Sequence, residues 1–140
     1  MQKQLLIVSN DFTVRESLGG ILEAANYAVL FAQNGRDAVR TLRANPIRAI
    51  VLDFKTPFRP KGDAARPLAT LTALTDVDPF LPLVLVCEKD RKLAHPVALM
   101  ADLVLRHPVT ATALVGGLDM LLAESLRDRV YRKAEFTAAG

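Results

Sequence analysis

The sequence predicts an α/β domain with a doubly wound five-stranded parallel sheet, a (βα)5 three-layer sandwich. Three observations predict it. Short apolar runs alternate with stretches of helical periodicity along most of the 140 residues, and parallel neighbours require such crossovers between them. The apolar runs are continuous, as expected of strands covered on both faces. Finally, 51% of the residues are apolar but only 6% are aromatic, so the core must be built from aliphatic side chains.

Leu5-Leu6-Ile7-Val8 reads as the first strand. Val14, Leu18, Ile21, Leu22 and Ala25 then form a helical stripe. A capping box of Thr13 and Glu16 is expected to start that helix. Gly19 and Gly20 weaken its interior by about 1 kcal/mol per glycine against alanine. Ala28-Val29-Leu30-Phe31-Ala32 is the second strand, and Asn34 caps a second helix bearing Ala38, Val39 and Leu42 that stops at Asn45-Pro46.

The third strand, Ile47-Arg48-Ala49-Ile50-Val51-Leu52, ends at Asp53. A loop follows with Pro57, Pro60, Gly62 and Pro67, basic at Lys55, Arg59, Lys61 and Arg66. Leu68, Leu71, Ala73 and Leu74 mark a third helix, closed by Asp78-Pro79. Leu83-Val84-Leu85-Val86-Cys87 is the fourth strand, and residues 91–100 make a short fourth helix interrupted by Pro96. Leu103-Val104-Leu105 is the fifth strand, with Pro108 beyond it. From 110 to about 130 the pattern is helical again, with Leu114, Leu118, Leu121 and Leu122 on its apolar face. The expected division is one domain over 1–124, then a basic C-terminal helix extension and a frayed tail over 125–140.

Charge and motifs narrow the function classes. The formal charge is +3, from 18 basic and 15 acidic side chains, a mild balance that does not by itself call for nucleic acid. Cys87 is the only cysteine, so an internal disulfide is impossible and a reducing compartment is expected. With no signal peptide and no span long enough for a bilayer, the expected location is cytoplasmic. No G-x-G-x-x-G follows the first strand and there is no P-loop, so the phosphate cradle of a nucleotide-binding enzyme is lacking.

The most informative residue is Asp53. An acid at the end of a buried parallel strand sits in the crevice where open α/β sheets bind ligands. Three landmarks accompany one another: Leu5-Leu6-Ile7-Val8-Ser9-Asn10-Asp11 leading to Arg15, Asp53 with Pro57, and the segment running from Ala101 to His107-Pro108. In order and spacing they resemble a response-regulator receiver domain of the chemotaxis-regulator type, over nearly the whole chain. The resemblance implies a flavodoxin-like fold and a non-enzymatic role in two-component signal transduction. It also implies a protein partner (a histidine kinase or a downstream output protein) or a self-dimer.

The same resemblance assigns site positions and shows where this sequence departs. It implies Asp53 as phosphoacceptor and Pro108 as the proline of a cis His107-Pro108 bond. The acid pair that holds Mg²⁺ in the family is replaced by Ser9 and Asn10. The hydroxyl after the fourth strand becomes Cys87, the lysine after the fifth becomes His107, and the switch aromatic becomes Val104. Phosphoryl transfer to a carboxylate is mostly positioning and charge neutralisation. Mg²⁺ usually keeps one or two carboxylate ligands; here weak binding is expected, with Asn10 and Asp53 as the ligands if any. Asp11 lies one residue further on, toward the helix start. Imidazole is mostly neutral at pH 7, so His107 is a poor replacement for lysine.

The expectation is therefore an atypical receiver domain, impaired in Mg²⁺-dependent aspartyl phosphorylation and acting as a protein-interaction module. The alternative is a working phosphoacceptor at Asp53. The remaining features read more plainly. Ser9 and Asn10 are helix-start caps, and Cys87 is a small buried strand-end residue. The basic loop is solvated, and Arg127, Arg129, Arg132 and Lys133 meet the dipole at a helix C-terminus. The face made by the fourth helix, fifth strand and fifth helix is expected to expose parts of Leu93, Val97 and Leu114.

Overall fold

The structure, a computed structural model, describes residues 2–54, 66–90, 92–93 and 95–139. Strands β1 (Gln4–Val8), β2 (Ala28–Ala32), β3 (Ile47–Phe54), β4 (Leu83–Cys87) and β5 (Leu103–Arg106) form one sheet in the order β2-β1-β3-β4-β5. Every strand pair in it is parallel. The helices are α1 (Phe12–Ala24), α2 (Gly35–Ala44), α3 (Arg66–Val77), α4 (His95–Met100), α5 (Ala111–Ala123) and α6 (Leu126–Ala139). The doubly wound architecture expected from the sequence is the one observed.

The two-residue period of each strand sorts the core into two halves. Leu5, Ile7, Ala49, Val51, Val84 and Val86 meet Val14, Leu18 and Leu22 of α1 and Leu114, Leu118, Leu121 and Leu122 of α5. Leu6, Val8, Ile50, Leu52, Leu83, Leu85 and Cys87 point the other way, onto Ala38 of α2, Leu71 and Leu74 of α3 and Val97 of α4. Both faces are thus covered, which explains why the strands carry continuous apolar runs. Each large aliphatic side chain buried this way contributes roughly 1.5–3 kcal/mol.

β1 pairs with β2 on one side and β3 on the other, and the connections leaving the carboxyl ends of β1 and β3 run to opposite faces of the sheet, to α1 and to α3. This is the switch point of the sheet, and ligand crevices form at its carboxyl edge. Ser9 and Asp53 both lie there.

Several local expectations change. Asp11, and not a Thr13/Glu16 box, caps α1: its Oδ1 accepts from Thr13 N at 2.9 Å and from Val14 N at 3.3 Å. The fourth helix is shorter than 91–100, and Pro96 falls at its second residue. A proline in the first turn loses no helical hydrogen bond, so Pro96 opens the helix and does not interrupt it. β3 continues one residue past Asp53, to Phe54. Leu114 is fully buried and Val97 only 5% exposed, so neither lies open on the α4–β5–α5 face. The helical pattern over 110–130 is two helices, broken where Glu124 turns extended and Ser125 Oγ accepts from Asp128 N to start α6. The loop residues Lys55, Pro57, Arg59, Pro60, Lys61 and Gly62 lie outside the described residues.

Candidate functional site

Three elements bring the site together at the carboxyl edge of the sheet. Asp53 is the penultimate residue of β3, and its side chain is only 1% exposed. Ser9 continues β1 by donating its N–H to Ala32 O at 3.0 Å, and is itself buried. His107 follows β5 and is held by its N–H to Cys87 O at 2.9 Å.

These anchors aim two side chains at one carboxylate. Ser9 Oγ donates to Asp53 Oδ2 at 3.0 Å. His107 Nε2 lies 3.1 Å from Asp53 Oδ1, reaching past the end of β4. Against an ionised carboxylate the Nε2 must carry the proton. Ser9 Oγ also accepts from Asp11 N at 3.1 Å, so the hydroxyl relays between the start of α1 and Asp53. Arg15 Nη1 donates to Ser9 O at 3.1 Å and completes the support from below. A buried charge needs such partners, since desolvation without them costs several kcal/mol.

The other sequence-assigned positions fall around this core. Cys87 is fully buried, with its Sγ 3.8 Å from Leu105 O, a long contact of little energy. Arg106 pairs in register with Cys87, and its guanidinium goes to Glu88 O at 2.9 Å. Val104 packs into the core half beneath α4. The His107–Pro108 peptide is cis. Asn10 is exposed beside the site, while Asp11 is committed to capping α1.

The Mg²⁺ that the resemblance implies can be tested against this donor set. Among the described residues, no group of three or more His, Cys, Asp or Glu converges to hold a metal ion. Among the described residues, Asp53 contributes the one carboxylate near the site that is not spent on a helix cap, and each of its oxygens already takes a hydrogen bond. Ser9 presents a hydroxyl engaged with two partners. An octahedral, oxygen-rich, charge-compensated shell does not fit these residues.

A cleft of about 690 Å³ opens beside Asp53, lined by Ser9, Asn10, Asn34, Arg36, Phe54 and Thr70 among others. A crevice at Asp53 is what the sequence predicts; its wall of α2 and α3 residues is not, because it depends on how those helices approach. Gly35 sets that approach: a Cβ there would stand 3.1 Å from Thr70 Oγ1.

A second polar cluster, at the opposite edge of the sheet, was also missed. Asp102 precedes β5 with its side chain 3% exposed. It accepts from Leu83 N at 2.7 Å, from Arg132 Nη1 at 2.6 Å and from Lys133 Nζ at 3.0 Å. Arg132 also grips Glu124 through Nε and Nη2, both at 2.9 Å. The hydrogen bond from Arg132 holds the Glu124 carboxyl below the usual carboxylate range. Arg129 donates to Leu121 O at 3.1 Å, and Lys133 to Leu81 O at 3.2 Å. Arg129, Arg132 and Lys133, expected to serve a helix dipole, instead clamp α6 onto the domain, while Arg127 lies over the Tyr131 ring within α6. The signal that could have located the break is Ser125-Leu126-Arg127-Asp128, an S-x-x-D cap in mid-pattern.

No protein-family model and no curated protein matches the sequence. Solved structures do match the fold. A two-component response regulator from Clostridium difficile superposes with a TM-score of 0.73 at 19% identity, covering 88% of this chain and 98% of its own. A CheY-like receiver domain protein from Methanospirillum hungatei JF-1 gives 0.72 at 19% identity, over 88% and 95%. The chemotaxis response regulator CheY4 of Vibrio cholerae gives 0.71 at 18% identity, over 86% and 99%. The fold is that of receiver domains. Among the described residues, no helix is long and apolar enough to cross a membrane.

Proposed function

We propose that this chain is an atypical receiver domain of a two-component signalling system that acts by docking a protein partner. In this reading Asp53 is a structural tie between β1, β3 and β5, not a phosphoacceptor. The partner is a histidine kinase, a downstream output protein or a second copy of the chain, and the setting is cytoplasmic. The domain itself spans 1–124, with α6 fastened to it, and carries no catalysis of its own.

One observation carries the proposal: both oxygens of a nearly inaccessible Asp53 are hydrogen-bonded, to Ser9 and to His107. To attack phosphorus, a carboxylate oxygen must be presented in line to the donor, and the charge building between two anions must be neutralised. Asp53 would have to give up a partner to do the first. The uncharged Ser9 and Asn10 leave little to recruit a cation for the second. The replacements are mutually consistent: fewer acids at the site reduce the need for lysine, and histidine suffices to satisfy one carboxylate.

The second reading, a working acceptor at Asp53, draws support from the cleft that adjoins it and from Arg36 on the cleft wall. Intact-mass measurement after incubation with acetyl phosphate and excess Mg²⁺ separates the two, with Asp53→Asn alongside. No adduct on either protein is the expected result. A phosphoryl adduct on the parent that is missing from Asp53→Asn would overturn the docking-only reading.

A further inference from the structure

The outer side of α2 carries Arg36, Arg40 and Arg43, spaced by four and three residues and therefore on one face of the helix. All three are exposed. They stand along a groove of about 570 Å³ between α2 and α3, whose lining among the described residues also includes Gly35, Val39, Ala44 and Ala73. Among the described residues, no carboxylate lines this groove. Arg36 and Arg43 make no hydrogen bond or ion pair among the described residues. Arg40 has only Asp37, at 3.7 Å, and that pair is open to solvent. An exposed pair of this kind is worth at most about 1 kcal/mol and exchanges readily for a better partner. The groove meets the cleft beside Asp53, sharing Gly35, Arg36 and Ala73 with it.

We propose that the α2–α3 groove docks an acidic amphipathic helix of a partner protein. Carboxylates of that helix would lie on Arg36, Arg40 and Arg43, and small apolar side chains on Val39, Ala44 and Ala73. The charge is complementary and pre-aligned: acids repeating at i, i+4 and i+7 match the arginine spacing turn for turn. The apolar floor selects a polypeptide over nucleic acid, because a phosphate backbone offers no aliphatic edge to cover it. The concave shape selects against a flat anionic membrane. This inference rests on the docking function proposed above, and it names the surface and the chemistry of the partner.

The test is a titration of the ¹⁵N-labelled full chain with a synthetic helical peptide. The peptide carries glutamates at i, i+4 and i+7 beside an alanine and leucine stripe. Amide shifts are expected at Val39, Ala44 and Ala73, with affinity falling about tenfold or more between low and high salt. Arg40→Glu combined with Arg43→Glu should abolish the shifts, whereas Arg127→Glu on α6 should leave them intact. Ala73→Glu, which places an acid in the groove, is a second variant that should compete with the peptide. Absence of shifts at these residues overturns the proposal. So does equal binding by the double variant, or tighter binding of duplex DNA or phosphatidylserine vesicles at the same residues.

The two proposals fail separately. A phosphoryl adduct together with peptide binding removes the docking-only reading and leaves the groove. No adduct and no peptide binding leaves the docking module and removes the groove.

Discussion

The guanidinium of Arg132 meets the buried carboxylate of Asp102 at 2.6 Å, across 30 residues of sequence. This contact fastens α6 to the edge of the sheet opposite Asp53. Asp102 sits where β5 begins, and its other oxygen takes Leu83 N and Lys133 Nζ. The last helix is thus held against the sheet.

Truncating Arg132 leaves Asp102 buried with one fewer cation. Arg132→Met is expected to cost about 1–3 kcal/mol, because a buried acceptor loses a charge-assisted partner. Asp102→Ala should cost at least as much, since it takes a carboxylate partner from both Arg132 and Lys133 and leaves Leu83 N without its acceptor. Urea denaturation of the full chain reads both. A change within about 0.5 kcal/mol, the range of ordinary surface substitutions, would mean that α6 adds nothing to the fold.

Tyr27 supplies a pH signature. Burial, reinforced by its hydrogen bond to Asp119, raises its phenol from the usual 10.0 to about 12. A group whose pKa is raised on folding stabilises the fold fully below its unfolded pKa. That stabilisation is lost as pH climbs from about 10 toward about 12. The difference in urea midpoint between the parent and Tyr27→Phe should therefore shrink over that window. A constant difference would contradict the assignment.

The paired glycines of α1 should part company. A Cβ at Gly19 would lie 2.9 Å from the Phe31 ring, whereas at Gly20 it meets nothing within 4 Å. Gly20→Ala is expected to stabilise by about 0.5–1 kcal/mol through helix propensity. Gly19→Ala should lose that gain, and more, in displacing Phe31 from α1. Thermal melts of the two variants decide it, and equal shifts would refute the packing argument.

Rebuilding the site tests the proposal that Asp53 takes no phosphoryl group. Ser9→Asp with Asn10→Asp and His107→Lys restores the charges that the receiver resemblance implies and removes the Ser9 and His107 hydrogen bonds to Asp53. Intact mass should then show a Mg²⁺-dependent adduct with acetyl phosphate that Asp53→Asn abolishes. If the triple variant stays unmodified while remaining folded by circular dichroism, the block lies elsewhere than in these three side chains.

The apolar runs and helical stripes were enough to place all five strands and the doubly wound sheet, because the hydrophobic period is a local property that burial then obeys. Asp53 was legible for the same reason, as an acid closing such a run. The departures that the receiver resemblance implies at Ser9, Asn10, Cys87 and His107 were likewise assigned by position. What a position could not reveal was contact. Ser9 lies 44 residues from Asp53, and His107 lies 54, so their convergence depends on strand order and register.

The helix start at Asp11 shows the same limit on a smaller scale. Thr13 and Glu16 satisfied a capping pattern, but the Asp11 carboxylate reached the free amides of Thr13 and Val14 first. The break at Glu124 was hidden because α5 and α6 together mimic one long helical period. The amino-acid sequence by itself determined the fold class and the place of its lone strand-end acid, since both follow from local patterning. Only the tertiary structure decided that Asp53 is closed by Ser9 and His107 and that Asp102 draws α6 back onto the sheet. Those outcomes depend on which charges burial forces together.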